Sequence, residues 1–203
     1  MEYDIFYHEA AHVVIASLFP EAFIVDFVTL NKEETESYDK LSLGGMKGQP
    51  VQNAQERTAI GCDALVLIFL AGMCADDIHI HGVVKEDFFT NEIWMDKFYQ
   101  GRYSGDIGLI NREFGLMIEK KYYHGLYNDY IIPAMRVVYR VLADASVWRI
   151  VELIRNTLCE SKSKRMTNEE LKTLLSQEYF VRWKEINLQQ INDGRKSFFD
   201  NAE

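Results

Sequence analysis

The chain is poor in the residues that would place it in several protein classes. Its three cysteines, Cys62, Cys74 and Cys159, are an odd number with no C-x-x-C pair among 203 residues. That pattern fits neither a disulfide framework nor a thiolate zinc site and reads as reduced thiols. Only three prolines occur, Pro20, Pro50 and Pro133, and no Ser- or Gly-rich stretch marks a linker. Positive charge is scarce: 22 Lys and Arg against 31 Asp and Glu leave −9, a field that repels a phosphate backbone and argues against nucleic acid as a partner. The longest charge-free apolar run, Ala64 to Ala75, has twelve residues, where a membrane-spanning helix needs roughly 18–20, so a buried core helix is expected there. Met1-Glu2-Tyr3-Asp4 is acidic where a secretion signal is basic, and the expected location is cytoplasmic. There is no G-x-x-x-x-G-K-S/T phosphate loop, so no ATP is expected on this chain, and no G-x-S-x-G nucleophile elbow.

What is present supports one mainly helical α+β domain over residues 1–183, with a polar tail over 184–203. Hydrophobic residues make up 48% of the chain, enough for a sizeable core. Asp4 to Phe19 reads as a helix capped by Asp4 and stopped by Pro20, and Phe23 to Leu30 reads as a strand. Leu41 to Met46 is expected as a second strand, broken at Gly44-Gly45, and Asn53 to Asp77 as a long helix. Ser104 to Tyr123 is expected as a helix with Ser104 as its cap, and helical spacing runs on from Tyr127 to Ser161. Thr167 and Glu170 form a capping box at the start of a short helix. The expected architecture is a small N-terminal sheet with helices over about 1–125, then a helical bundle over about 126–183.

The chemistry lies in His8-Glu9-Ala10-Ala11-His12, an H-E-x-x-H sequence inside the first predicted helix. Positions i and i+4 share one helix face, so both imidazoles project together, as a tetrahedral zinc requires. Glu9 lies about 100° round the helix, within reach of a water activated at the metal but not itself a ligand. The alternative is a chance match on a surface helix. Against it, Ala10, Ala11, Val13, Val14, Ile15, Ala16 and Leu18 are apolar nearly all round. Burying two His and a Glu in such a helix is costly unless something satisfies them.

Two ligands do not complete a zinc site, so a third is needed. Ile15 and Leu18 occupy the places where a metzincin carries Gly and His, which excludes that class. Glu33, Glu34 and Glu36 lie at a thermolysin-like distance but in a charged connector after a strand, and read as solvated surface charge.

Taken together, these blocks resemble the peptidase domain of FtsH-type ATP-dependent zinc metalloproteases. The family's H-E-A-G-H is matched by His8 to His12, and its V-T-I strand by Phe27-Val28-Thr29-Leu30. Leu70-Ala71-Gly72-Met73-Cys74-Ala75-Asp76-Asp77, followed by Gly82, is similar to its L-G-G-R-A-A-E-E helix. Ser104-Gly105-Asp106-Ile107 is similar to its S-x-N-D-I segment, and Met166 to Leu171 to its closing L-D-G-E-E-I element. The resemblance spans about Tyr7 to Leu175 and implies His8, His12 and Asp106 as ligands to one zinc per chain, with Glu9 as general base. A carboxylate in the first turn of a helix, as expected for Asp106, is also favoured by the unsatisfied amides there, which leaves simple helix capping as its alternative role. Ala11 and Gly105 stand where the family has glycine and asparagine, so packing and support of the site can differ.

The implied activity is zinc-dependent endopeptidase cleavage of unfolded protein or peptide, without an ATPase module or membrane segments of its own. A separate ATPase partner or a homo-oligomer is the implied context. The rival expectation is an inactive, zinc-stabilised derivative that acts as a binding module. Among the remaining features, His79-Ile80-His81 is expected to meet the last carbonyls of its helix, and His124 to be structural. Phe88, Phe89, Trp94, Phe98, Tyr99 and Tyr103 precede Asp106 as core or as subsites, and Leu41 to Met46 is the candidate edge for substrate pairing.

Overall fold

Asp4 opens helix α1 (Ile5–Ala16) as expected, its carboxylate accepting the Phe6 N–H at 3.0 Å. Every residue from His8 to Ala16 is buried, so α1 has no polar face. The chain leaves it through Ser17, whose hydroxyl donates to the Val14 carbonyl, and turns at Pro20 into β1 (Phe23–Thr29). The structure, a computed structural model, describes residues 4–31, 45–83 and 103–200. Among them it holds seven helices and one three-stranded antiparallel sheet, a mainly helical fold with a small sheet.

β1 is the centre of that sheet, between β2 (Gly45–Pro50) and β3 (Arg165–Thr167). Its register with β2 shifts between Val25 and Phe27, a bulge that leaves Asp26 without a partner. The described second strand shares Gly45 and Met46 with the expected Leu41 to Met46 and continues to Pro50. Residues 41–44 lie outside the described residues, and the strand begins at Gly45, the residue expected to break it. Gly48 is tolerated inside it because a Cβ there would collide with the Ile24 carbonyl and the Phe23 ring, so close approach of the two strands demands glycine.

Helix α2 (Ala59–His81) starts six residues later than expected and runs four further. Asn53 spends its side chain on a turn of its own, accepting the N–H groups of Gln55 and Glu56 at 3.0 and 3.1 Å. Thr58 is the true cap, accepting the Gly61 N–H at 3.1 Å. α2 stops at Gly82, whose φ of +73° suits glycine. Asp63, Asp76 and Asp77 lie within this helix and are buried, so its length is not limited by the charges that bound the apolar run. By length and composition α2 could cross a bilayer, with mean hydropathy 1.9 over 18 residues, yet 83% of that window is buried in the fold.

α2 is the hub of the core, packed by α1, by α3 (Ser104–Glu119) and by α4 (Tyr127–Ala143). Ser104 proves to be the first helical residue of α3. Tyr103 holds the cap position, without a side-chain capping bond. The stretch expected to run from Tyr127 to Ser161 divides at Asp144, which is extended and caps α5 (Ala145–Glu160) by accepting the Ser146 N–H at 2.8 Å. The Thr167–Glu170 capping box opens α6 (Asn168–Leu175) as expected. Residues expected to form a polar tail after Trp183 instead belong to α7 (Glu178–Asp200). That helix buries Phe180 and Trp183 and brings Arg195 against Asp63 in the core.

Candidate metal centre

The three residues expected as ligands meet. His8 and His12, one turn apart on α1, and Asp106, in the first turn of α3, converge above α2. His8 Nε2 lies 3.1 Å from His12 Nε2 and 3.1 Å from Asp106 Oδ2, and His12 Nε2 lies 3.6 Å from Asp106 Oδ1. Ligand atoms placed tetrahedrally around zinc at its usual distances are about 3.3 Å apart. The triangle has that size, and its donor set, two imidazoles and a carboxylate, suits zinc.

The outer ring nitrogens decide what the inner ones can offer. His8 Nδ1 lies 3.0 Å from Asp76 Oδ2, and His12 Nδ1 lies 2.7 Å from the Ile68 carbonyl. Both partners are acceptors, so both Nδ1 atoms carry the hydrogen and donate it. In the neutral rings each Nε2 is then a lone pair, and two lone pairs face a carboxylate, an acceptor set among the described residues. Such an arrangement calls for a cation.

The titration behaviour has the same origin. Burial pulls the His8 imidazole down, but hydrogen bonds to Asp106 and Asp76 outweigh it and hold His8 well above its ordinary value. Burial also lowers His12, and the Asp106 charge outweighs it. Asp106 itself is held below the usual carboxylate range: burial pushes it up, and His12 and His8 pull it down further. The shifts thus favour positive charge on the imidazoles beside an ionised Asp106.

Glu9 is 5% exposed. Its pKa is raised by burial, opposed by the neighbouring imidazoles and by the backbone N–H of Met46. Met46 belongs to β2, an outer strand of the sheet, so the candidate base is anchored to a strand edge. The side chain of Asp106 is 19% exposed against 7% for His8 and 5% for His12, so the cluster is most open on its α3 side. Tyr103 stacks on His8 there, ring planes 4° apart and centroids 5.9 Å apart.

Two supporting residues have no role in the sequence reading. Asp76 orients His8, and the signal for it was an acid in an otherwise apolar helix that must be paired if buried. Gly72 forms the floor: a Cβ there would strike the His8 ring and lie 2.6 Å from His12 Nε2, so only glycine lets both imidazoles sit against α2. Among the described residues no other His, Cys, Asp and Glu group could hold an ion. His79 stacks on Tyr7 at 4.2 Å and His81 Nδ1 bonds Asp77 at 3.0 Å, where the sequence reading expected helix carbonyls. His124 is exposed after α3. Glu33, Glu34, Glu36 and the aromatics from Phe88 to Tyr99 lie outside the described residues. No protein-family model matches this chain, and no curated protein matches it.

Proposed function

We propose that the protein is a zinc-dependent endopeptidase, with His8, His12 and Asp106 holding the metal and Glu9 as general base. One observation carries the reading: three acceptor atoms converge at 3.1, 3.1 and 3.6 Å while the outer nitrogens of both rings are already donating. His8, His12 and Asp106 would hold the zinc, which would supply Lewis acidity toward a peptide carbonyl and a water. Asp76 and the Ile68 carbonyl keep His8 and His12 in the ligating tautomer. Glu9, its pKa raised by burial, is poised to take a proton from water and return it to the leaving amine. The outer edge of β2, with Met46 bonded to Glu9, suits an extended peptide pairing beside the base.

The resemblance to FtsH-type peptidase domains supports this reading and extends it to a zincin-like fold and unfolded substrates. The substrate proposed with it is an unfolded protein or peptide, and the proposed partner is a further copy of the chain or an ATPase. A second reading, an inactive zinc-stabilised binding module, draws on the 4–6% exposure of His8, Glu9 and His12. Casein cleavage separates the two. Wild type carrying about one zinc should cut casein, and Glu9→Gln should lose about 10²–10⁴-fold in rate while keeping its zinc. A zinc-loaded wild type that cuts nothing leaves the binding module.

A further inference from the structure

Asp106 belongs to a seam. Asp106, Ile110, Glu113 and Met117 follow one another at spacings of four, three and four on α3, which places them on one face. The last three are buried against the core. Glu113 is fully buried, and its carboxylate is gripped by Arg57, 5% exposed and one residue before the Thr58 cap of α2. The other terminal nitrogen of Arg57 donates to the Gln52 carbonyl at 3.1 Å. Arg112 closes over the second Glu113 oxygen at 2.9 and 3.0 Å. Lys120, just past the end of α3, donates to the carbonyls of Gln55 and Arg57 at 2.7 and 2.9 Å. The segment between β2 and α2 is thus tied to α3 by charge, on the face that carries Asp106.

As a stabiliser this ion pair is a poor choice. Arg57 Nε is buried without a hydrogen-bond partner, and apolar side chains of similar volume often fill such a space at equal or better stability. What they cannot supply is register. A guanidinium fixed between Glu113 and the Gln52 carbonyl accepts one height and one roll of α3 against α2. Asp106 sits seven residues away, about 10 Å along the helix, so any roll or slide of α3 displaces the third donor atom.

We propose that Arg57 and Glu113 are positioning residues for the metal centre, setting the pose of Asp106 through the register of α3. The inference rests on the metal reading of His8, His12 and Asp106. It is tested by zinc titration and by the visible spectrum of the Co²⁺-substituted protein, in wild type, the Arg57→Met/Glu113→Met double variant and Arg57→Lys. The double variant is expected to melt no lower than wild type when both are metal-free, yet to bind zinc about tenfold more weakly, with altered Co²⁺ bands. Arg57→Lys keeps the charge without the planar fork and should shift affinity the same way by less. It decides the matter if the double variant does not fold. Wild-type zinc affinity and an unchanged Co²⁺ spectrum in a folded variant would reduce the pair to a structural contact and overturn the proposal. A wild type that binds no zinc would instead remove the metal reading, and the positioning role with it.

Discussion

Helix α2 carries a buried polar cluster near each end, and the two are built on opposite terms. Around Asp63 the chain closes its own account: Arg195 donates through two nitrogens and Tyr130 through its hydroxyl at 2.6 Å. Every acceptor there meets a donor, and the carboxylate meets its counter-charge. Beside Asp76 and Gly72, three acceptors face one another once the outer nitrogens of His8 and His12 are committed. Burial of polar groups is common to both ends. The difference is charge balance: Asp63 meets a permanent cation in Arg195, whereas among the described residues the histidine cluster brings acceptors together around Asp106, a set that a bound cation would complete.

The strongest way to break this contrast is to delete a donor from the unfinished end. Asp106→Ala should take zinc from about one per chain to near zero by elemental analysis, and undiminished zinc would move the third ligand elsewhere. At the finished end, Arg195→Met strands the Asp63 carboxylate in the core. It should cost about 3–5 kcal/mol in denaturant unfolding, with zinc per folded chain unchanged. Zinc loss without loss of stability would erase the distinction between the two ends. Asp76→Asn keeps the shape beside His8 but removes the charge that fixes its tautomer. Calorimetry should then show zinc binding weakened about 10–100-fold.

The smallest effect is the pH response of the metal-free chain. His8 and His12 titrate above their ordinary 6.5, because Asp106 and, for His8, Asp76 outweigh the burial that pulls them down. Their contribution to stability is complete below pH 6.5 and is lost as pH rises through the raised values. Asp106 titrates below its ordinary 3.8, so its contribution is complete above that value and is lost as pH falls. The metal-free midpoint should therefore be highest between about pH 4 and 6.5 and fall by about 2–4 °C above that window for each kcal/mol lost. Zinc should remove the alkaline decline, because ligation displaces those protons. A midpoint rising steadily to pH 9 without metal would contradict the acceptor-only arrangement.

Local signals were the readable ones. Two imidazoles at i and i+4, an Asp cap at position 4 and the Thr167–Glu170 capping box each act within one or two helix turns, and the structure keeps all three. Asp106 was reachable only through resemblance, since nothing local ties residue 106 to residue 8. Asp76 and Arg195 escaped because their partners, His8 and Asp63, lie 68 and 132 residues away along the chain. Yet a charge inside an apolar helix such as α2 already announces a buried partner. The break at Asp144 was hidden by helical spacing that runs through it, although an Asp two residues before Ser146 is itself a capping signal. The polar tail expected over 184–203 judged α7 by its polar majority and overlooked the stripe that docks it.

Gly72 gives the protein an unusual vulnerability. A single added carbon at this position, Gly72→Ala, would wedge between the two imidazoles from behind while leaving every ligand, the base and the net charge intact. If His8, His12 and Asp106 hold a metal, a sequence could thus keep its whole H-E-x-x-H signature and still be unable to load it. In any chain of this architecture, the residue beneath the histidines is as informative about competence as the histidines themselves.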